Sequence, residues 1–123
     1  MRHFLVLAVA SLIGCSDILP RACTQIGCDH QLLVAFETAP GVAVRVEALE
    51  DGATSPRVVE CPVGSCSFGA RFTDFTPAHV VITVITDQGS KQFDVRPEYE
   101  QVRPNGRDCP PECTQARVVV SLP

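Results

Sequence analysis

At 123 residues the chain has room for one core, which excludes a two-domain enzyme with a cleft between its halves. Ten Lys and Arg against 14 Asp and Glu give a formal net charge of −4, without the clustered cations that bind nucleic acid or attract anionic lipid head groups. Apolar residues make up 46% of the chain and charged residues 20%, a globular composition to which one short N-terminal run contributes.

That run comes first in chain order. Residues 1–15 open on the basic "MRH", continue as "FLVLAVASLI" and end on "GC". Crossing a bilayer takes roughly 20 apolar residues at about 1.5 Å of rise each. The run is too short for that and reads as an export signal. The stretch Leu12-Ile13-Gly14-Cys15 resembles the lipobox of bacterial lipoproteins. The resemblance implies a diacylglyceryl group on the Cys15 thiol, a cut that removes residues 1–14 as signal peptide, and acylation of the new amino group. It makes Cys15 the lipidation site and the membrane a partner through that lipid. It also explains why the chain has seven cysteines, six of them in close pairs and Cys15 alone. Asp17 stands one place beyond the position at which an aspartate retains enteric lipoproteins in the inner membrane, after Ser16. The resemblance therefore implies the bacterial cell envelope, and the outer membrane over the inner where a cell has two. Residues 15–22 form a short tether and 23–123 a single domain.

Within the domain the hydrophobic period is two. In "GVAVRVEALEDG" the residues Val42, Val44, Val46 and Ala48 share a face opposite Ala43, Arg45 and Glu47, and Asp51-Gly52 marks a turn. "QLLVAFE" (31–37), "RVVEC" (57–61), "CSFGARF" (66–72), "SKQFDV" (90–95) and "ARVVVSL" (116–122) repeat the pattern. "HVVITVITD" (79–87) is apolar on both faces, as a covered central strand is, and Asp87-Gln88-Gly89 turns it into the next strand. Prolines 40, 56, 77, 97, 104, 110 and 111 fall between the runs, where a missing N–H breaks no ladder. The expectation is an all-β, antiparallel β-sandwich of about seven strands. Its expected core is Val34, Phe36, Val44, Val46, Phe68, Val80, Ile82, Val84, Phe93, Val118 and Val120.

From Pro40 onward the chain resembles the transthyretin-like domains grouped with carboxypeptidase regulatory modules. The resemblance is carried by "GVAVRVEALEDG", "FTPAHVVITVITDQG" and the closing "ARVVVSL"; "TPAH" puts His79 where that family has an aromatic residue. It implies a sandwich fold and leaves the activity open.

Cys23 and Cys28, Cys61 and Cys66, and Cys109 and Cys113 form three close pairs, and an exported chain meets an oxidising compartment. Disulfides are thus expected over a four-cysteine zinc site with His30 or His79 as substitute ligands. No pair has the C-x-x-C spacing of thioredoxin-like redox sites. Six cysteines allow 15 connectivities, and the clustering points to three local disulfides: Cys23–Cys28, Cys61–Cys66 and Cys109–Cys113. Cys61–Cys66 would clamp the two stems of a hairpin loop.

Machinery for nucleophilic hydrolysis is not visible. The domain holds His30, in a loop, and His79, at the head of an apolar strand, and it has neither H-E-x-x-H nor G-x-S-x-G. Asp51, Asp74 and Asp87 lie at turns without the D-x-D-x-D-G spacing of a calcium loop. No catalytic residue, metal or cofactor is assigned, and the expected function is a non-catalytic binding or structural module of the envelope with an envelope protein as partner. The alternative is a lipid-anchored inhibitor of a hydrolase such as lysozyme. "CDHQLLVAF" and "FGARF" resemble stretches of one periplasmic inhibitor family, with Phe68 and Phe72 where that family has serine and tyrosine.

Overall fold

The protein is described by a computed structural model, which covers residues 22–123; the signal peptide, Cys15 and nearly all of the tether lie outside the described residues. There are eight strands: β1 (Gln31–Phe36), β2 (Val44–Glu50), β3 (Arg57–Cys61), β4 (Ala70–Thr73), β5 (Val80–Thr86), β6 (Gly89–Val95), β7 (Glu100–Val102) and β8 (Cys113–Val120). They form two four-stranded sheets, ordered β4-β1-β8-β7 and β3-β2-β5-β6. The strands form because β-branched residues alternate with polar ones, and the alternation fixes register, since a one-residue slip would exchange core and solvent faces.

Leu32, Val34 and Phe36 of β1 pair with Ala116, Val118 and Val120 of β8 on one inner face, flanked by Ala70 and Phe72 of β4. Val44, Val46 and Ala48 of β2 pair with Val80, Ile82 and Val84 of β5 toward the other. Packed against each other, the two faces make one core with no buried polar or charged residue among the described residues. Phe72 meets Phe75 at 5.7 Å between ring centroids, and Arg57 lies 5.1 Å over the Phe75 ring. The central strand expected at 79–87 is β5, between β2 and β6, but only one of its faces is covered: Val80, Ile82 and Val84 enter the core, while Val81, Thr83 and Ile85 face outward and are half-buried.

Four further expectations are corrected. The antiparallel rule fails once: β1 and β8 run parallel, in register from Gln31↔Gln115 to Phe36↔Val120. β7, only three residues long, is too short to show a period of two. The strand expected from Cys66 begins at Ala70, because the Gly69 N–H closes a tight turn onto the Cys66 carbonyl. Phe68 sits in that turn with 87% of its surface exposed, outside the core. A Cβ on Gly69, at φ +131°, would collide with the Val34 backbone, so only glycine lets the chain pass there.

The fourth correction concerns the disulfides. Cys61–Cys66 forms as expected, but the other four cysteines pair as Cys23–Cys109 and Cys28–Cys113, across 86 and 85 residues. The parallel β1–β8 register explains this. Strands side by side in the same direction bring their upstream neighbours together, so Cys28, just before β1, meets Cys113 at the head of β8. In the chain-entropy picture the first long closure contributes about 4.5 kcal/mol. The second then closes a ring of only about 11 residues and adds roughly 3 kcal/mol, while the short Cys61–Cys66 loop adds about 2 kcal/mol.

Peptide mapping without reductant is expected to recover Cys23 joined to Cys109 and Cys28 to Cys113, and no peptide pair joined within 23–28 or 109–113. Phe72→Ala, which empties a buried site, is expected to cost about 3 to 5 kcal/mol in denaturant unfolding. Phe68→Ala is expected to cost less than about 0.5 kcal/mol.

Candidate functional site

The outward side of the β3-β2-β5-β6 sheet carries the most densely connected polar side chains of that sheet. Outward positions of β2, β3 and β5 bring Arg45, Glu47, Glu60, Thr83 and Ile85 together by register. Arg45 Nε donates to Glu47 Oε1 at 2.9 Å and its Nη1 to Glu60 Oε1 at 2.6 Å. These pairs are solvated and add little to stability.

At the end of the sheet where β2 leaves and β5 enters lies a different arrangement. His79, one residue ahead of β5, points its Nδ1 at Asp51 Oδ1, 2.6 Å away in the β2–β3 turn, and its Nε2 at Asp94 Oδ1 of β6. A carboxylate only accepts, so this arrangement favours the imidazolium, in which both ring nitrogens carry hydrogen. Its pKa is raised above the ordinary histidine value, first by the hydrogen bond to Asp94 and then by that to Asp51; partial burial pulls the other way and is outweighed. The ring fastens three successive pieces of the sheet. While both nitrogens are protonated and engaged the ring offers no lone pair, and it acts as a clasp.

Beside it, the Tyr99 hydroxyl donates to the Pro77 carbonyl at 2.7 Å. Burial, and secondly the charge of Glu50, push its pKa up to about 12, so it remains a donor throughout the physiological range. The N-terminal segment is held at the same end. Asn105 Oδ1 accepts from the Ile26 N–H and the Thr24 hydroxyl, while its Nδ2 donates to the Ile26 and Pro110 carbonyls. His30, expected in a loop, is exposed there, yet its Nδ1 accepts the Thr114 N–H at 2.9 Å.

Of the residues singled out in the sequence, the fold unites His79 with Asp51 and separates both from His30. Asp74 donates its N–H to the His30 carbonyl, and Asp87 lies beyond the far end of β5. The three turn aspartates are therefore apart, and among the described residues no group of three His, Cys, Asp or Glu side chains could hold a metal ion. All six domain cysteines are in disulfides. On the outer face of the other sheet, an open groove of about 470 Å³ is lined by Gln31, Leu33, Glu98, Glu100, Gln115 and Arg117 among others. Both signs of charge meet there, and no serine, cysteine or histidine lines it. Sequence reasoning missed Asp94 and Asn105. Asp94 could have been found from the Asp87-Gln88 turn: pairing Thr86 with Gly89 fixes Val81 opposite Asp94, next to His79 on the outward face. Asn105, in a proline-rich loop, gives no local signal.

No protein family, curated protein or solved structure matches this chain.

The clasp makes stability depend on pH with a definite sign. A group whose folded pKa is raised contributes fully below its unfolded value, near 6.5, and loses that contribution as pH rises through the folded value. The urea midpoint is expected to fall as pH rises above about 6.5 and through the raised folded pKa, and His79→Gln to remove that slope. The His79 imidazole, followed by NMR, should titrate above about 6.5, and Asp94→Asn should lower its midpoint.

Proposed function

We propose that this chain is a lipoprotein of the bacterial cell envelope, anchored through lipid on Cys15, whose β-sandwich domain is a non-catalytic binding or structural module on the transthyretin-like pattern. The observation that carries the reading is the pairing of an N-terminal Leu12-Ile13-Gly14-Cys15 signal with a domain whose six cysteines are all consumed in disulfides. Three disulfides suit an oxidising compartment outside the cytoplasm. With six thiols paired among themselves, Cys15 is the cysteine left for another chemistry.

The strand β2, its turn at Asp51-Gly52, the central β5 and the closing β8 support the family pattern, and the parallel β1–β8 pair is a departure from an all-antiparallel sandwich. The non-catalytic part rests on the geometry of the candidate groups. The histidine with carboxylate partners is saturated, the cysteines are oxidised, and the open groove is lined by no nucleophile. With two or three acyl chains at about 0.8 kcal/mol per buried methylene, attachment would be effectively stable, whereas one chain holds only marginally.

Cys15→Ser tests the anchor. The native chain is expected to incorporate labelled fatty acid and to partition into detergent; the variant should do neither and should accumulate as uncut precursor. A variant still cut after Gly14 and still membrane-bound would overturn the lipid anchor.

A further inference from the structure

We infer that the loop Cys61–Gly69 is a docking tip for a globular protein partner that offers an apolar pocket sized for one phenyl ring, with Phe68 as the anchor. This rests on the reading of the domain as a binding module.

The loop is rigid. The Cys61–Cys66 disulfide closes it. Within it the Ser65 N–H and hydroxyl both bond the Pro62 carbonyl, and the Gly69 N–H bonds the Cys66 carbonyl. Gly64 and Cys66 take positive φ angles of 82° and 52° inside these turns, and Gly69 wedges the exit against β1. Such a loop holds Val63 and Phe68 outward, 68% and 87% exposed, with little conformational entropy left to lose on binding. A phenylalanine held in water by a fixed loop costs solubility and contributes nothing to the core. Buried aromatic knobs on preformed loops are the residues that carry interface energy.

Position and charge select the occupant. The loop lies where β3 ends and β2 begins, since Val44 pairs with Cys61, together with residues 37–43 and the C-terminal Ser121–Pro123. The chain leaves toward Cys15 from the opposite end of the sandwich, where Cys23 is fastened to Cys109. A membrane that holds Cys15 would therefore face away from Phe68. The stretches 38–43, 61–69 and 121–123 contain no charged side chain; the charges at this end include the acidic Glu37 and Asp87 and the cation Lys91, whose ammonium is bonded to Ser121, so no cluster of Lys or Arg attracts an anionic lipid surface. Phe68 is the third residue of a tight turn and not part of an extended segment, so the loop cannot lie along a protease cleft as a substrate does. One ring buries about 150 to 250 Å². The remainder of a contact near 800 Å² per partner is expected from Val63, the 37–43 loop and exposed Val119 on β8.

The test places a benzophenone amino acid at position 68 of the full-length chain in cells of its native host, with the same group at exposed Gln92 on β6 as control. The result expected is one discrete protein adduct on irradiation from position 68, at least about tenfold weaker from position 92. It should be displaced by over-expressed native chain and not by a Phe68→Ser chain of equal melting temperature. Adducts to lipid, equal adducts from both positions, or no adduct would overturn the docking tip. The Cys15→Ser partition assay, run in the same cells, reports on the anchor separately, so failure of one reading is not mistaken for failure of the other.

Discussion

The first sheet depends on a pairing between the two ends of the chain. β1 and β8 lie side by side and parallel although more than 80 residues separate them, and without β8 the strand β1 would have only the four-residue β4 as neighbour. Bringing distant segments together is entropically costly and slow. The cysteines just upstream of each strand reduce that cost, because once Cys28 and Cys113 are joined the strands begin in register. Cys23–Cys109 and the four hydrogen bonds of Asn105 then keep the incoming segment from peeling away. A force arriving through the N-terminal tether would meet two covalent bonds before it reached β1.

The second sheet needs no such fastening, and the contrast shows what the sequence disclosed. Its strands are adjacent in sequence apart from β4's excursion into the other sheet. Their tight turns, Asp51-Gly52 and Asp87-Gln88-Gly89, are written in the residues that turn chemistry requires. There the period of two located β2, β3, β5 and β6 within about two residues. The inward set Val44, Val46, Val80, Ile82 and Val84 followed from pattern alone. The first sheet was legible strand by strand but not as a pairing, because proximity in sequence is what suggested local disulfides and proximity in space is what decides them. Phe68 misled for a related reason: its alternation with Phe72 is correct for a strand, but a turn closed onto Cys66 and the close pass at Gly69 take it out of the sheet.

Edges are managed differently in the two sheets. β4 and β7, the edges of the first, are four and three residues long, too short to template another chain. β6, the seven-residue edge of the second, instead carries Lys91 at an inward position opposite Val84. Its ammonium donates across to the Ser121 hydroxyl at 3.1 Å, beyond the end of β8. An inward charge on a long edge disfavours strand addition, since a new neighbour would have to bury or displace it. Further along the same strand, Asp94 is tied back to His79. The outward positions of this edge, Ser90, Gln92 and Asp94, are thus polar, while Phe93 and Val95 turn inward against the core.

These features divide the domain into two ends with different chemistry. One end gathers the disulfide staples, the Asn105 network, the His79 clasp and the Tyr99 hydrogen bond, so its loops are held by polar and covalent contacts. The other gathers the uncharged stretches 38–43, 61–69 and 121–123, one short disulfide and two outward apolar side chains, with Glu37 and the Asp87 turn beside them. Polar cross-links tolerate water, which suits the end from which the chain would run to a membrane under the lipid anchor proposed above. An exposed ring gains free energy only when water is removed from it, which suits an end that meets another macromolecule. The asymmetry has a structural cause. β1 and β8 both start at the stapled end and finish at the apolar one, so covalent fastening before their first residues leaves the chain beyond their last residues unencumbered.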